Sequence, residues 1–267
     1  MVQNRIFITG GASGLGRAIA LRFAREGFRV CIGDVNDERG ESTRAELSAI
    51  APEAIYVRCD VTREEDLESV ARSLEESWGG VDVVVNNAGV AQAGAIESVP
   101  LSDWQWVTEI NLFGVVRGCK VFTPLFKRQG HGHFVNIASM AGLLDVPNMA
   151  AYNATKAAVV SLSETLDNEL ADANIGVTVV CPSFFKTNLG ESLRATDEKL
   201  RARMARLLER SGVTAEDIAD QVYDAVQRSR FYVLPHAEGL RAWRLKRLLP
   251  RLLYKRMAGS SMKGKRR

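Results

Sequence analysis

Tyr152 and Lys156 stand four residues apart, and Ser139 lies thirteen residues before the tyrosine. Together they could form a proton-transfer device. On a helix, residues four apart share one face. A free phenol has a pKa of about 10 and is a poor base near neutrality. An ammonium one turn away favours the phenolate and would draw that value towards the range where acid–base catalysis works. The Ser139 hydroxyl could hold a substrate oxygen against the phenol, and the carbon bearing that oxygen would gain or lose a hydride. Tyr-x-x-x-Lys also arises by chance on helices, so the rest of the chain has to supply the context.

The elements that must position these groups are legible around them. Val135 and Ile137 lie in a short run of the kind a buried strand shows, and Ser139 falls at its carboxyl end, where open α/β sheets place their chemistry. From residue 150 onward Ala154, Ala157, Ala158, Leu162, Leu166 and Leu170 recur at helical spacing. At the start of the chain, a strand over residues 5–9 runs into Thr9-Gly10-Gly11-Ala12-Ser13-Gly14-Leu15-Gly16 and a helix over 15–26. A glycine turn between strand and helix lets backbone N–H groups approach a pyrophosphate at the helix N-terminus. A second strand, 29–33, ends at Asp34, about 20 residues past the glycines, where a carboxylate can accept hydrogen bonds from ribose hydroxyls. It would repel a 2′-phosphate, and neither Ser13 nor Val35 is basic, so NAD is favoured over NADP. The alternative is a solvated turn aspartate.

Strands are expected over 54–59, 81–85, 176–181 and 231–234, and helices over 64–78, 101–128 and 191–208, the last forming a lid over the site. The third strand ends at Asp60-Val61, a contact for the adenine edge. The fourth breaks into Asn86-Asn87-Ala88-Gly89, which either fixes neighbouring strands and leaves room for a cofactor or is a simple turn. Thr214-Ala215-Glu216-Asp217 looks like a capping box. Trp104 and Trp106 read as packing residues. His131-Gly132-His133 has no evident third metal ligand and reads as a turn.

Strands alternating with helices argue for a doubly wound parallel α/β sheet of the Rossmann type, about seven strands in a single domain. With its motifs in this order, the chain resembles the classical short-chain dehydrogenase/reductase family over residues 4 to about 235. Thr9-Gly10-x-x-x-Gly14-x-Gly16 matches the family's cofactor motif, Asn86-Asn87-Ala88-Gly89 its structural motif, and Asn111, Ser139, Tyr152 and Lys156 its catalytic tetrad. The resemblance implies that Tyr152 is the general acid/base and that Ser139 orients the substrate oxygen. Lys156 would bind the nicotinamide ribose and lower the tyrosine pKa, and Asn111 would hold a water linking Lys156 to solvent. Gly10, Ser13, Gly14, Leu15, Gly16, Asp34, Asp60, Val61, Asn87, Ala88, Gly89, Tyr152, Lys156, Pro182 and Thr187 would line the cofactor. Where the family usually has Pro-Gly after the sixth strand, this chain has Pro182-Ser183. A homodimer or homotetramer is also implied.

Residues expected around the substrate are Ala91, Gln92, Ala93, Met140 to Met149, Phe184 and Phe185. Most are apolar, which suggests a hydrophobic secondary alcohol or ketone; the same residues could instead be core or subunit contacts. Composition is that of a globular protein, 46% hydrophobic and 25% charged. The start has no signal-peptide layout and the four cysteines form no Cys-x-x-Cys pair, so a cytoplasmic protein with reduced thiols is expected. The net charge of +3 hides an asymmetry: from Arg241 onward there are eleven Lys/Arg and no acid, which leaves −8 on residues 1–240. An acidic body of this kind does not suggest nucleic-acid binding. The division is a catalytic domain over 1–238 and a basic amphipathic extension over 239–267. In that extension Arg244, Arg247, Arg251 and Lys255 share one face and Leu245, Leu248, Leu249, Leu252 and Leu253 another, with a break at Pro250. Such a helix can lie weakly on an anionic membrane or pack on the subunit. Two other functions compete with an NAD(P)-dependent oxidoreductase: a catalytically silent dinucleotide-sensing or scaffold protein of the same fold, which tends to lose the tetrad that is complete here, and a membrane-binding protein driven by the tail.

Overall fold

The computed structural model describes residues 4–209 and 211–250. The first half runs β1 (Arg5–Thr9), α1 (Gly14–Arg25), β2 (Arg29–Asp34), α2 (Asp37–Leu47), β3 (Ala54–Arg58), α3 (Glu64–Trp78), β4 (Val83–Asn86), β5 (Gln92–Ala93), α4 (Leu101–Thr108) and α5 (Gly114–Gln129). The second half runs β6 (Gly132–Ile137), α6 (Ala141–Leu144), α7 (Ala150–Leu170), β7 (Ile175–Val180), β8 (Arg194–Ala195), α8 (Glu198–Glu209), α9 (Ala215–Gln227), β9 (Tyr232–Val233) and α10 (Ala237–Leu248). Seven strands form one parallel sheet in the order β3-β2-β1-β4-β6-β7-β9, a single-domain Rossmann-type fold. The chain reverses its direction of travel across the sheet between β1 and β4. The crevice at the carboxyl ends of such a pair is where this architecture takes ligands.

Alternation along the central strands decides which helices cover which face. Ile6, Ile8, Val83, Val85, Val135 and Ile137 join the cluster under α1 and α9, whereas Phe7, Val84 and Phe134 point to the cluster under α3, α5 and α7. Both faces are therefore dry, which is why these strands read as continuous apolar runs. Thr214 and Asp217 form the expected capping box at α9.

Three segments depart from expectation. The helix expected over 101–128 is divided by a π-helical turn, Glu109–Phe113, between α4 and α5. The lid helix begins at Glu198 rather than Glu191, because Arg194–Ala195 is extended and pairs with β5 at Gln92–Ala93. The third is the C-terminal helix: α10 begins at Ala237, two residues before the extension expected over 239–267, and ends at Leu248, before Pro250. The parts of the amphipathic reading that rest on Arg251, Leu252, Leu253 and Lys255 lie outside the described residues. All four cysteines are buried and unbridged, Cys119 on a helix.

Buried polar groups tie the strand ends into one unit. The Thr9 hydroxyl accepts from the N–H groups of Asn87 (3.0 Å) and Ala88 (3.1 Å) and donates to the Val85 carbonyl (3.4 Å). The Asn87 amide donates in return to the carbonyls of Thr9 (2.9 Å) and Gly10 (3.0 Å). The turn after β1 and the turn after β4 are thus one structure. Replacing Thr9 with valine keeps the shape but leaves two N–H groups without an acceptor. That change should lower the unfolding free energy by about 1–3 kcal/mol, read by urea titration.

Candidate active site

The site grows from the carboxyl ends of β1, β2, β4, β6 and β7. Gly10 turns the chain with φ +63°, and a Cβ there would stand 2.9 Å from the Ala88 backbone. Gly16 lets α1 close on that turn, since a Cβ would lie 2.2 Å from the Gly10 carbonyl oxygen. Ser13 is the N-cap of α1, its hydroxyl makes no capping bond, and no acidic residue sits in the first turn. The positive end of the helix is left facing the cleft.

One elongated cavity of about 430 Å³ runs from this turn to the tyrosine. Of the expected cofactor residues, Gly10, Ser13, Gly14, Leu15, Asp34, Asp60 and Val61 line its first half. Asn87, Ala88, Gly89, Pro182 and Thr187 line the rest, with Ser139, Tyr152 and Lys156. Gly16 and Asn111 do not reach the cavity wall. At the far end of the turn, Asp34 is oriented by the N–H groups of Ala12 and Asn36, each at 3.1 Å. Arg39 lines the same end, paired with Glu191 at 2.8 Å, and nothing in the local sequence pattern announced it.

Tyr152, Lys156 and Ser139 are 7%, 4% and 9% exposed and come together as their spacing suggested. The Ser139 hydroxyl donates to the Pro182 carbonyl (3.3 Å) and accepts the Ala141 N–H (3.1 Å). Lys156 Nζ donates to the Ile137 carbonyl at 2.7 Å and lies 5.9 Å from the centre of the Tyr152 ring. Burial brings the Lys156 ammonium down to about 8. Burial also pushes the Tyr152 phenol above its ordinary value of 10, against a smaller downward pull from the Ser139 hydroxyl. This reverses the expectation that Lys156 would make the phenol acidic. Desolvation, which sequence spacing does not report, outweighs a cation turned towards a strand carbonyl.

Asn111 sits in the π turn, 0% exposed, and its amide both accepts from the Val90 N–H (2.8 Å) and donates to the Val90 carbonyl (2.9 Å). The side chain expected to hold a relay water is thus engaged with backbone. A water between it and Lys156 could use the second lone pair of Oδ1, the second N–H of Nδ2 or the main chain. π turns inside helices gather at functional sites, and an asparagine inside an apolar helix was the one signal for this one.

The substrate end is apolar. Leu144, Val146, Met149, Phe184 and Phe185 line it as expected, joined by Leu189 and Leu193 from the segment before α8 and by Met204 from α8. Ala91 lines it, but Gln92, Ala93 and Leu143 do not: Gln92 is fully buried away from the cavity, and Leu143 packs in the core under α7. Trp106 packs as expected, with the Arg194 guanidinium 3.8 Å from its ring centre. His133 bonds the Thr178 hydroxyl at 2.8 Å, and His131 faces Asp82.

The sequence pattern described as short chain dehydrogenase matches residues 4–198. The chain belongs to the short-chain dehydrogenase family. A CLA biosynthesis dehydrogenase/reductase of Lactiplantibacillus plantarum is 33% identical over 251 residues, 87% of this chain and 88% of that relative. The crystal structure of a short chain dehydrogenase/reductase from Burkholderia phymatum in complex with NAD superposes with a TM-score of 0.88 at 33% identity, over 92% of this chain and 93% of that one. An alcohol dehydrogenase from Thermococcus sibiricus complexed with 5-hydroxy-NADP superposes with a TM-score of 0.75 at 26% identity, over 87% and 95%. Members of this family are dehydrogenases and reductases that act on CH–OH groups, and the two structures just compared hold NAD and 5-hydroxy-NADP respectively.

The buried lysine generates a test. In the unfolded chain a lysine stays protonated to about pH 10.4, whereas here Lys156 loses its proton near 8. Between those values the unfolded state binds the extra proton, so this group makes the protein more stable as pH rises. Comparing wild type with Lys156→Met cancels the titration of other groups. The difference in unfolding free energy should move in favour of wild type across that window and stay flat below pH 7.

Proposed function

We propose that this chain is an NAD-linked dehydrogenase/reductase interconverting a hydrophobic secondary alcohol and its ketone, with Tyr152 as the general acid/base. The observation that carries the reading is a single cavity with a carboxylate and a helix N-terminus at one end and a buried phenol within an apolar wall at the other. When bound, the nicotinamide supplies or accepts the hydride. Asp34 would take the ribose hydroxyls, the N-terminal turn of α1 would take the pyrophosphate, and Pro182 and Thr187 would hold the nicotinamide.

In the reduction direction, the substrate oxygen replaces the long bond from Ser139 to Pro182 and lies between Ser139 and Tyr152. Tyr152, protonated at neutral pH, gives its proton to that oxygen as the carbon gains the hydride. In oxidation the phenol first gives up its proton towards Lys156, and the phenolate then receives the alcohol proton. Lys156, brought down to about 8 by burial, can pass a proton to or from Tyr152, and Asn111 holds the Val90 backbone that walls this corner. The complete set of Asn111, Ser139, Tyr152 and Lys156 favours turnover over a silent sensor or scaffold. A homodimer or homotetramer belongs to the same reading, supported by Phe113, 43% exposed on the π turn.

Replacing Tyr152 with phenylalanine should cut turnover by about 10²–10⁴-fold while leaving the dinucleotide dissociation constant unchanged. The assay follows reduced-nicotinamide absorbance over a panel of secondary alcohols. Full activity in the variant, or a clear preference for a small polyol over apolar alcohols, would end this reading.

One observation favours NADP instead: Arg39 lines the adenosine end beside Asp34. Its charge is already met by Glu191, so NAD remains the reading. Wild type should bind NAD more tightly than NADP by fluorescence titration, and Asp34→Ser should narrow that gap by about tenfold, worth about 1.4 kcal/mol.

A further inference from the structure

The segment from His236 through α10 touches both loops that wall the substrate end. At its start, His236 Nδ1 accepts the N–H of Ser183 at 3.1 Å, in the loop after β7. One turn on, Gly239 lies against Met140 in the loop after β6, so close that a Cβ would stand 3.1 Å from the methionine methyl carbon. Near its end, Lys246 Nζ donates to the Leu143 carbonyl at 2.6 Å and pairs with the Asp145 carboxylate. Those two groups close α6, where Asp145 takes a left-handed conformation with φ +55°. The helix itself is anchored through Trp243, whose ring lies 5.2 Å from that of Tyr232 on the edge strand.

We infer that residues 236–248 form a strap tying the loop after β6 to the loop after β7, with Lys246 and His236 as positioning residues for the substrate end. Leu144 lies between the two groups that Lys246 holds, and Phe184 follows the residue that His236 holds. Both side chains line the cavity. The left-handed residue at the end of α6 is the kind of conformation that persists only when its surroundings hold it. An ammonium bonded to the carbonyl two residues earlier and to its own carboxylate does so.

The strap rests on the proposed function for its kinetic consequence alone. Hydrogen exchange in the full chain tests it without any substrate. Lys246→Met keeps the stem and removes charge and donors. Amides of residues 141–146 should then exchange about threefold faster or more, while those of α1, on the other face of the sheet, stay unchanged. Lys246→Arg should restore protection. With an alcohol substrate and NAD, Lys246→Met should raise KM more than it lowers kcat. If Lys246→Met does not fold, Asp145→Asn, at an outward-facing group 67% exposed, removes the other half of the pair and should loosen the same residues. Unchanged exchange over 141–146 overturns the strap, as does an increase that spreads equally to α1. Retained turnover in Tyr152→Phe would overturn the proposed function and leave this exchange result standing.

Discussion

The bond from Lys156 to the Ile137 carbonyl is the contact on which the site depends. It crosses from α7 to the last residue of β6 and holds the helix at one height above the sheet. Tyr152 is then one turn nearer the helix start, and Ser139 is two residues beyond Ile137. Any shift of α7 along its axis would separate phenol from hydroxyl while leaving both buried. The bond also answers an energetic problem. An ammonium 4% exposed loses most of its hydration, and a carbonyl at the end of a strand is one of few acceptors available there. The protein resolves the rest by lowering the lysine pKa, so the group that fixes the geometry is also the one that can most readily exchange a proton.

Beneath this contact, polar side chains inside the core carry the same positional information across the sheet. Asn86 at the end of β4 donates to Asn136 on β6, and Asn136 donates to Ser163 on α7. Gly118 on α5 leaves room for the Asn86 amide, whose oxygen a Cβ there would approach to 2.0 Å. One line of hydrogen bonds therefore links the two central strands and the catalytic helix. It runs parallel to the Thr9–Asn87 exchange that joins the two cofactor-side turns. Apolar packing would hold these layers together without specifying their register; paired amides do so because each unmatched partner is expensive.

How much of this could be read from the chain follows from the range of the forces involved. The glycine turn, the central strands, the capping box at Thr214 and the shared face of Tyr152 and Lys156 are local patterns, and each was legible. The π turn at Asn111 was not, because its i+5 bonds leave the apolar spacing of a long helix almost unaltered. The pairing of Gln92–Ala93 with Arg194–Ala195 was not, because two-residue strands have no periodicity and their partner is a hundred residues away. A still longer separation, 152 residues, hid the pairing of Arg39 with Glu191. The direction of the tyrosine pKa was misjudged for a different reason: spacing reveals that a cation is near, but not whether it points at the phenol or how much water has been removed.

These differences separate the two ends of the cavity. The dinucleotide end is built from contacts within and between adjacent parallel strands, where neighbouring backbone fixes nearly every group. The substrate end is assembled from the loop after β6, the loop after β7, the lid and α10, which meet through side chains distant in sequence. Arg201 of α8 donates to the Leu193 carbonyl (2.9 Å), and Arg194 pairs with Asp103 on α4, so even the lid is held by charges at its rim rather than by its apolar floor. Exposed pairs of this kind contribute little each. A fold arranged this way can keep one proton-transfer geometry while its substrate walls are rebuilt, which is why the chemistry of the chain is easier to derive than the molecule it acts on.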